Sequence, residues 1–223
     1  MSTGGPGEPR EPVAAAAEPV DPAEERLARR LPQGPPGTHP VAARAASLLR
    51  TLGHYDRLAY GAVARTHTPA IDVPLRRLSG FANHSKPWFL VAAALALVGG
   101  PAGRRAAVRG VVAIGAASLV VNQPMKLLGG RDRPDRDHHA VPDDRRLPMP
   151  TSTSFPSGHS ASAAAFAVAV GDAVPALRLP LGAAAGTVAF SRVHTGVHYP
   201  GDVLVGAATG ALLGRLVTRW AQR

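Results

Sequence analysis

Pro156-Ser157-Gly158-His159 stands at the head of residues 160–177, an apolar stretch whose one charge is Asp172. Proline is favoured in the first turn of a helix, and glycine beside it removes the Cβ that would hold another group away from the backbone. The stretch therefore reads as a helix starting near His159. Four uncharged runs accompany it, at 87–100, 110–125, 179–191 and 203–214, with charged turns between. A spanning helix takes roughly 17–25 mostly apolar residues, so each run crosses a bilayer only with its polar ends included. Gly206, Gly210 and Gly214 repeat at four-residue spacing, as do Gly182 and Gly186. Such stripes let helix backbones approach where lipid gives no hydrophobic drive. The expected fold is all-α, an integral membrane bundle of about five to six helices. An Ala/Gly-rich soluble helical core is the competing reading.

Polar residues of one chemical kind gather at the ends of these runs. Lys126 follows the 110–125 run and Arg133-Pro134 comes after six intervening residues; Ser191-Arg192 closes the 179–191 run, His198 follows, and Asp202 lies just after Pro200. Three fixed cations, two histidines and a carboxylate are what attack on a phosphoryl group requires. Backbone amides of Ser157, Gly158 and His159, at the positive end of a helix dipole, are suited to phosphoryl oxygens. Lys126 adds a point charge, and Arg133 and Arg192 each present a planar fork to two oxygens.

In order and spacing, K-x6-R-P, P-S-G-H and S-R-x5-H-x3-D, these residues resemble the signature of the type 2 phosphatidic acid phosphatase superfamily, which also holds vanadium haloperoxidases. The resemblance spans Lys126 to Asp202 without a substitution. It implies a membrane enzyme acting on a lipid phosphate monoester or diphosphate: phosphatidate, phosphatidylglycerophosphate or a polyprenyl phosphate or diphosphate. It further implies His198 as the nucleophile that becomes a phosphohistidine, Asp202 as the group orienting it, and His159 as the acid for the leaving group and then the base for water. Lys126, Arg133, Ser157, Gly158 and Arg192 would bind the phosphate. No metal or other cofactor is implied, because lysine and arginine supply the positive charge. A haloperoxidase holding vanadate, or a non-catalytic lipid-binding protein on the same fold, are the alternatives. The short, apolar chain disfavours the first and the intact motifs disfavour the second.

Other polar groups have plainer readings. His194 and His198 stand four apart, a zinc-binding spacing on a helix, but Gly196 and Pro200 argue against an unbroken helix there. His138-His139 reads as a solvated or headgroup-facing cluster in the long loop 129–155. Asn122 reads as a helix-packing hydrogen bond, with ordering of Lys126 or substrate contact as the sharper possibility.

The chain has 223 residues, no cysteine and a net charge of +10. Its mean hydropathy is near zero because it averages two unlike parts. Residues 1–45 hold nine of the 22 prolines with mixed charges, a composition too poor in apolar surface to offset the entropy of ordering. A disordered tail is expected there, without a cleavable signal peptide. Residues 46–86 read as amphipathic or interfacial helices, with Leu48, Leu49, Leu52 and Leu58 at helical spacing broken by Arg50, Asp56 and Arg57. Residues 87–223 form the expected membrane-embedded phosphatase domain. The arginines bracket apolar runs and aromatics are only 4%, which disfavours nucleic acid and favours a membrane surface. A turn at 100–109 with Arg104, Arg105 and Arg109, together with Arg178 and the C-terminal arginines, is expected on the cytoplasmic side, which puts the motifs on the extracytoplasmic face of the cell membrane. Oligomeric state is open.

Overall fold

The structure, a computed structural model, describes residues 40–223. The tail expected over residues 1–45 lies, up to residue 39, outside the described residues. Seven main α-helices follow in order: α1 (Pro40–Arg65), α2 (Pro69–Phe81), α3 (Lys86–Val98), α4 (Gly100–Val120), α5 (Gly158–Ala173), α6 (Arg178–His194) and α7 (Pro200–Trp220). Helices α3 to α7 correspond to the five apolar runs, and no strand occurs among the described residues. Pro124, which lacks the N–H an α-helix needs, sits where α4 widens into a π-helical turn, Val121–Met125, before a last turn at Lys126–Gly129. With that turn α4 runs Gly100–Met125; it and α7 are long and apolar enough to cross a membrane.

Helix α5 is the axis, packed by α4, α6 and α7. Five of its alanines, from Ala161 to Ala169, and Phe166 are buried, and Phe166 meets Trp88 of α3 with ring centroids 5.6 Å apart. The glycine stripe of α7 faces α5: a Cβ at Gly206, Gly210 or Gly214 would come within 3.0 Å of the carbonyl oxygen of Ser157, Ala161 or Ala165 respectively. Those three carbonyls share the stripe's four-residue spacing, so the two backbones run in contact for two turns.

One local expectation is corrected. Arg104, Arg105 and Arg109 lie inside α4 and not in a turn; the chain reverses at Gly99–Gly100, where Gly100 takes φ +59°. Glycine tolerates that left-handed backbone, and starting the helix there places the arginines in its first turns. Arg109 donates to the carbonyl of Ala221 at 3.3 Å, so the basic end of α4 stands beside the end of α7. In α1, the leucines at helical spacing are exposed, while Tyr60 and Ala64 make the buried contact.

Candidate active site

Four chain segments meet at the end of the bundle opposite those arginines: the last turn after α4, the start of α5, the end of α6 and the start of α7. Backbone hydrogen bonds join them. Ser157 N donates to the carbonyl of Asp202 at 3.0 Å, and the amides of Val197 and His198 both donate to the carbonyl of Arg192 at 3.2 Å. The two helix N-termini are thus fixed to each other, and the loop carrying His198 is fixed to the C-terminal turn of α6.

A cavity of about 270 Å³ opens there, lined by Lys126, Arg133, Gly158, His159, Arg192 and His198 among others. Each cation is oriented by oxygen atoms. Arg133 donates through Nε to the Ser152 carbonyl (2.9 Å) and through Nη1 to the Val197 carbonyl (2.6 Å). Lys126 Nζ reaches Ser152 Oγ at 3.2 Å, so one serine steadies two cations. Arg192 donates through Nη1 to the Ser79 carbonyl and hydroxyl, at 3.1 and 2.7 Å. Burial, and then the charge of Arg133, hold Lys126 below its usual lysine range; burial lowers Arg133 against the opposing pull of Asp202. An oxyanion among these groups offsets their desolvation and mutual repulsion.

His198 is 2% exposed and Asp202 is fully buried. Nδ1 of His198 lies 3.4 Å from Asp202 Oδ2, longer than a well-made hydrogen bond, and Nε2 lies 3.4 Å from Arg133 Nη1. Burial is the main influence on the imidazole and pushes its pKa down to about 4, helped by Arg133 and Arg192 and opposed by Asp202. Neutral at ordinary pH, His198 keeps a lone pair on one ring nitrogen. Asp202 is itself held: Oδ2 accepts from Tyr199 N at 2.9 Å, and Oδ1 accepts from Arg131 Nη1 at 3.1 Å. That same Nη1 lies 2.6 Å from Asp56 Oδ2 of α1, and Asp56 Oδ1 accepts from Gly201 N at 2.7 Å. Arg131 also lies over the Tyr199 ring, 3.8 Å from its centroid. On the other side, His159 Nε2 is 2.9 Å from Asn83 Oδ1.

Six of the eight residues expected at the site line this cavity, and Asp202 stands behind His198. Ser157 differs: it is fully buried, its amide is taken by the Asp202 carbonyl, and its Oγ caps α5 by accepting from Ser160 N. It anchors the start of α5, leaving Gly158 and His159 to border the cavity. Asn122 lines the cavity, donates to Ser118 Oγ at 3.0 Å, and presses so near Gly158 that a Cβ there would lie 3.0 Å from its Oδ1. His194 and His198 do not converge: α6 ends at His194, whose Nε2 turns to Asp72 Oδ1 at 3.0 Å. His139 packs edge-on against buried Tyr60, with centroids 4.9 Å apart, and is not simply solvated. Ser79, Asn83, Arg131 and Ser152 had no part in the sequence reading, and Asp56 figured there only as a charge breaking an amphipathic pattern. Their partners are distant in the chain, and no local spacing announces them.

A helical bundle whose polar end sets two histidines, one backed by a carboxylate, among fixed cations is an arrangement suited to binding and cleaving a phosphate ester. The chain belongs to the PAP2 superfamily, whose sequence profile matches residues 106–223. It is 39% identical over 154 residues to the decaprenylphosphoryl-5-phosphoribose phosphatase of Mycobacterium tuberculosis, covering 67% of this chain and 80% of that protein. The protein of the same description from Mycolicibacterium smegmatis is 37% identical over 145 residues, covering 62% and 72%. A shorter match, 45% over 58 residues, links it to the lipid A 1-phosphatase of Rhizobium johnstonii, over 26% of this chain and 24% of that one. Among solved structures, the transmembrane PAP2-type phosphatidylglycerolphosphate phosphatase of Bacillus subtilis superposes with TM-score 0.59 at 24% identity, over 77% of this chain and 87% of that one. Aquifex aeolicus LpxE gives 0.58 at 22%, over 72% and 93%. These two likenesses speak to the fold. The chain is a lipid phosphate phosphatase of the membrane.

Proposed function

We propose that the enzyme removes a terminal phosphate monoester from a polyprenyl-phosphate-linked sugar, with His198 as nucleophile. One observation carries the chemistry: His198, backed by Asp202, keeps Nε2 among Arg133 and the other cations of the cavity. Nε2 attacks phosphorus, the P–N bond forms, and the P–O bond to the sugar breaks. Asp202 stabilises the imidazolium character that develops on His198. His159 gives a proton to the departing oxygen and then takes one from the water that cleaves the P–N bond, releasing inorganic phosphate. Lys126, Arg133, Arg192 and the amides at Gly158 and His159 stabilise charge on the transferring phosphoryl oxygens. The choice of lipid rests on the mycobacterial relatives, most of whose length this chain spans.

The chain crosses the membrane several times in this reading. Arg104, Arg105, Arg109, Arg178, Arg215 and Arg219 belong to the helix ends remote from the cavity, and cytoplasmic enrichment of arginine then puts the cavity on the extracytoplasmic side. A polyprenyl tail stays in lipid while the phosphorylated sugar reaches the cations.

The test is phosphate release by detergent-purified protein in EDTA, across a polyprenyl-phosphate-linked phosphosugar, phosphatidate, phosphatidylglycerophosphate and polyprenyl mono- and diphosphates. Release that is greatest on the phosphosugar and lost in His198→Ala supports the proposal. Preference for another lipid overturns the substrate, and release abolished by EDTA overturns the mechanism.

A further inference from the structure

The turn between α2 and α3, Asn83–Ser85, lies outside the matched family region and takes no part in holding the cations, yet His84 and Ser85 line the cavity. Both have left-handed backbones, φ 57° and 59°. Residues bearing side chains adopt that conformation at a cost, and it persists where the surroundings enforce it, commonly at ligand clamps. Here the turn is fixed on both sides, by buried Ala82 before it and by Pro87 in the first turn of α3 after it.

Its position relative to the reaction is set by one contact. Asn83 Oδ1 is 2.9 Å from Nε2 of His159, so the turn adjoins the group that protonates the leaving oxygen. In-line displacement sends that oxygen away from His198. The alcohol it belongs to must therefore emerge on the His159 side, beside this turn. An amide, an imidazole and a hydroxyl follow one another there, all able to donate or accept hydrogen bonds.

We infer that Asn83–Ser85 is the leaving-group subsite and that it takes a polyhydroxylated alcohol, such as a pentose, in preference to an apolar one. The inference rests on the phosphatase reading above. A sugar's hydroxyls replace the water lost by these side chains, whereas an alkyl or aryl alcohol buries them without partners.

The test uses the full chain in detergent with two soluble probes, ribose 5-phosphate and phenyl phosphate. The variant is His84→Gly with Ser85→Gly, which removes both side chains while glycine keeps the left-handed backbone without strain. The quantity read is kcat/KM for ribose 5-phosphate divided by that for phenyl phosphate. The double variant should lower this ratio about tenfold, the loss of one or two hydrogen bonds. A ratio unchanged within about twofold, whether or not both activities fall, overturns the subsite. If wild-type protein releases phosphate from neither probe nor from any lipid of the panel, the phosphatase reading itself fails, and the subsite with it.

Discussion

Four residues apart, two histidines stand in clusters made of the same parts, and only His198 borders the cavity. His198 has Asp202 at 3.4 Å and Asp202 has Arg131 at 3.1 Å; His194 has Asp72 at 3.0 Å and Asp72 has Arg145 at 2.9 Å. Around Asp72 the contacts converge on one carboxylate oxygen. Its Oδ1 accepts from His194, Arg145 and Thr68, while Arg145, 1% exposed, spreads its remaining donors over the carbonyls of Val63, Ala64 and Thr66. That cluster joins α1, α2, the long loop and α6, and does not border the cavity. Around Asp202 the contact to the histidine is the longest of the set, and the imidazole's other nitrogen faces cations. The same triad of residue types becomes a clasp when every donor is used internally. It is available to a ligand, and in the proposed reaction to phosphorus, when one nitrogen is left facing the cavity.

The largest expected break in that comparison is between the histidines themselves. His198→Ala should reduce turnover by about 10⁴-fold or more in folded protein, while His194→Ala should lower thermal stability and keep turnover within about tenfold. Equal losses of activity would show that His194 belongs to the reaction. Exchanging the carboxylates sharpens the contrast. Asp202→Asn should cost roughly 10³–10⁴ in kcat with the fold intact. Asp72→Asn instead leaves Arg145 buried without its counter-charge and should destabilise the protein by about 3–5 kcal/mol, read by denaturation in detergent.

Smaller effects should follow from the third element of each cluster. Asp56→Asn removes the negative charge beside Arg131 and leaves one acceptor oxygen where Arg131 and the Gly201 amide had two; kcat should fall about 10- to 100-fold, as for other partners that orient reacting groups from behind, with KM little changed. Asp56→Glu should restore part of it. The smallest effect is in pH. Because His198 titrates near 4, below the free value of about 6.5, its neutral form dominates throughout the neutral range. Its contribution to kcat/KM should be flat above pH 6 and decline only as pH falls through about 4. The sign for stability agrees: the unfolded chain takes up the proton first, so folding weakens as pH drops below about 6.5. A His198 imidazole that titrates near 6.5 when followed by NMR in the folded protein would contradict the burial of this group.

The reacting half of the molecule was legible because its chemistry is local. Gly158 and His159 open one helix, His198 and Asp202 flank the start of another, and apolar runs place the helices between them. The supporting half was not. Asp56 and Asp72 read as charges within amphipathic helices, and Arg131 and Arg145 are two of several arginines in the long loop 129–155 that no spacing sets apart. Their meaning appears only when 71 to 75 residues of chain bring acid and base together. Ser157 shows the opposite pull: its position in the motif suggests a phosphate contact, but a helix start also needs a cap, and here its side chain serves that local demand.

The glycine stripe of α7 bears on how such a site can diversify. Gly206 rests on Ser157 and Gly210 on Ala161, so the helix bearing Asp202 is indexed against the helix bearing Gly158 and His159, backbone to backbone. A slip of one residue would translate α7 by about 1.5 Å and turn it by roughly a quarter of its circumference, bringing side chains against those carbonyls. The distance between nucleophile and phosphate cradle is therefore not free to drift. Variation among descendants of this chain has room in the loop after α4 and in the turn between α2 and α3, where new headgroups can be fitted without disturbing the gauge.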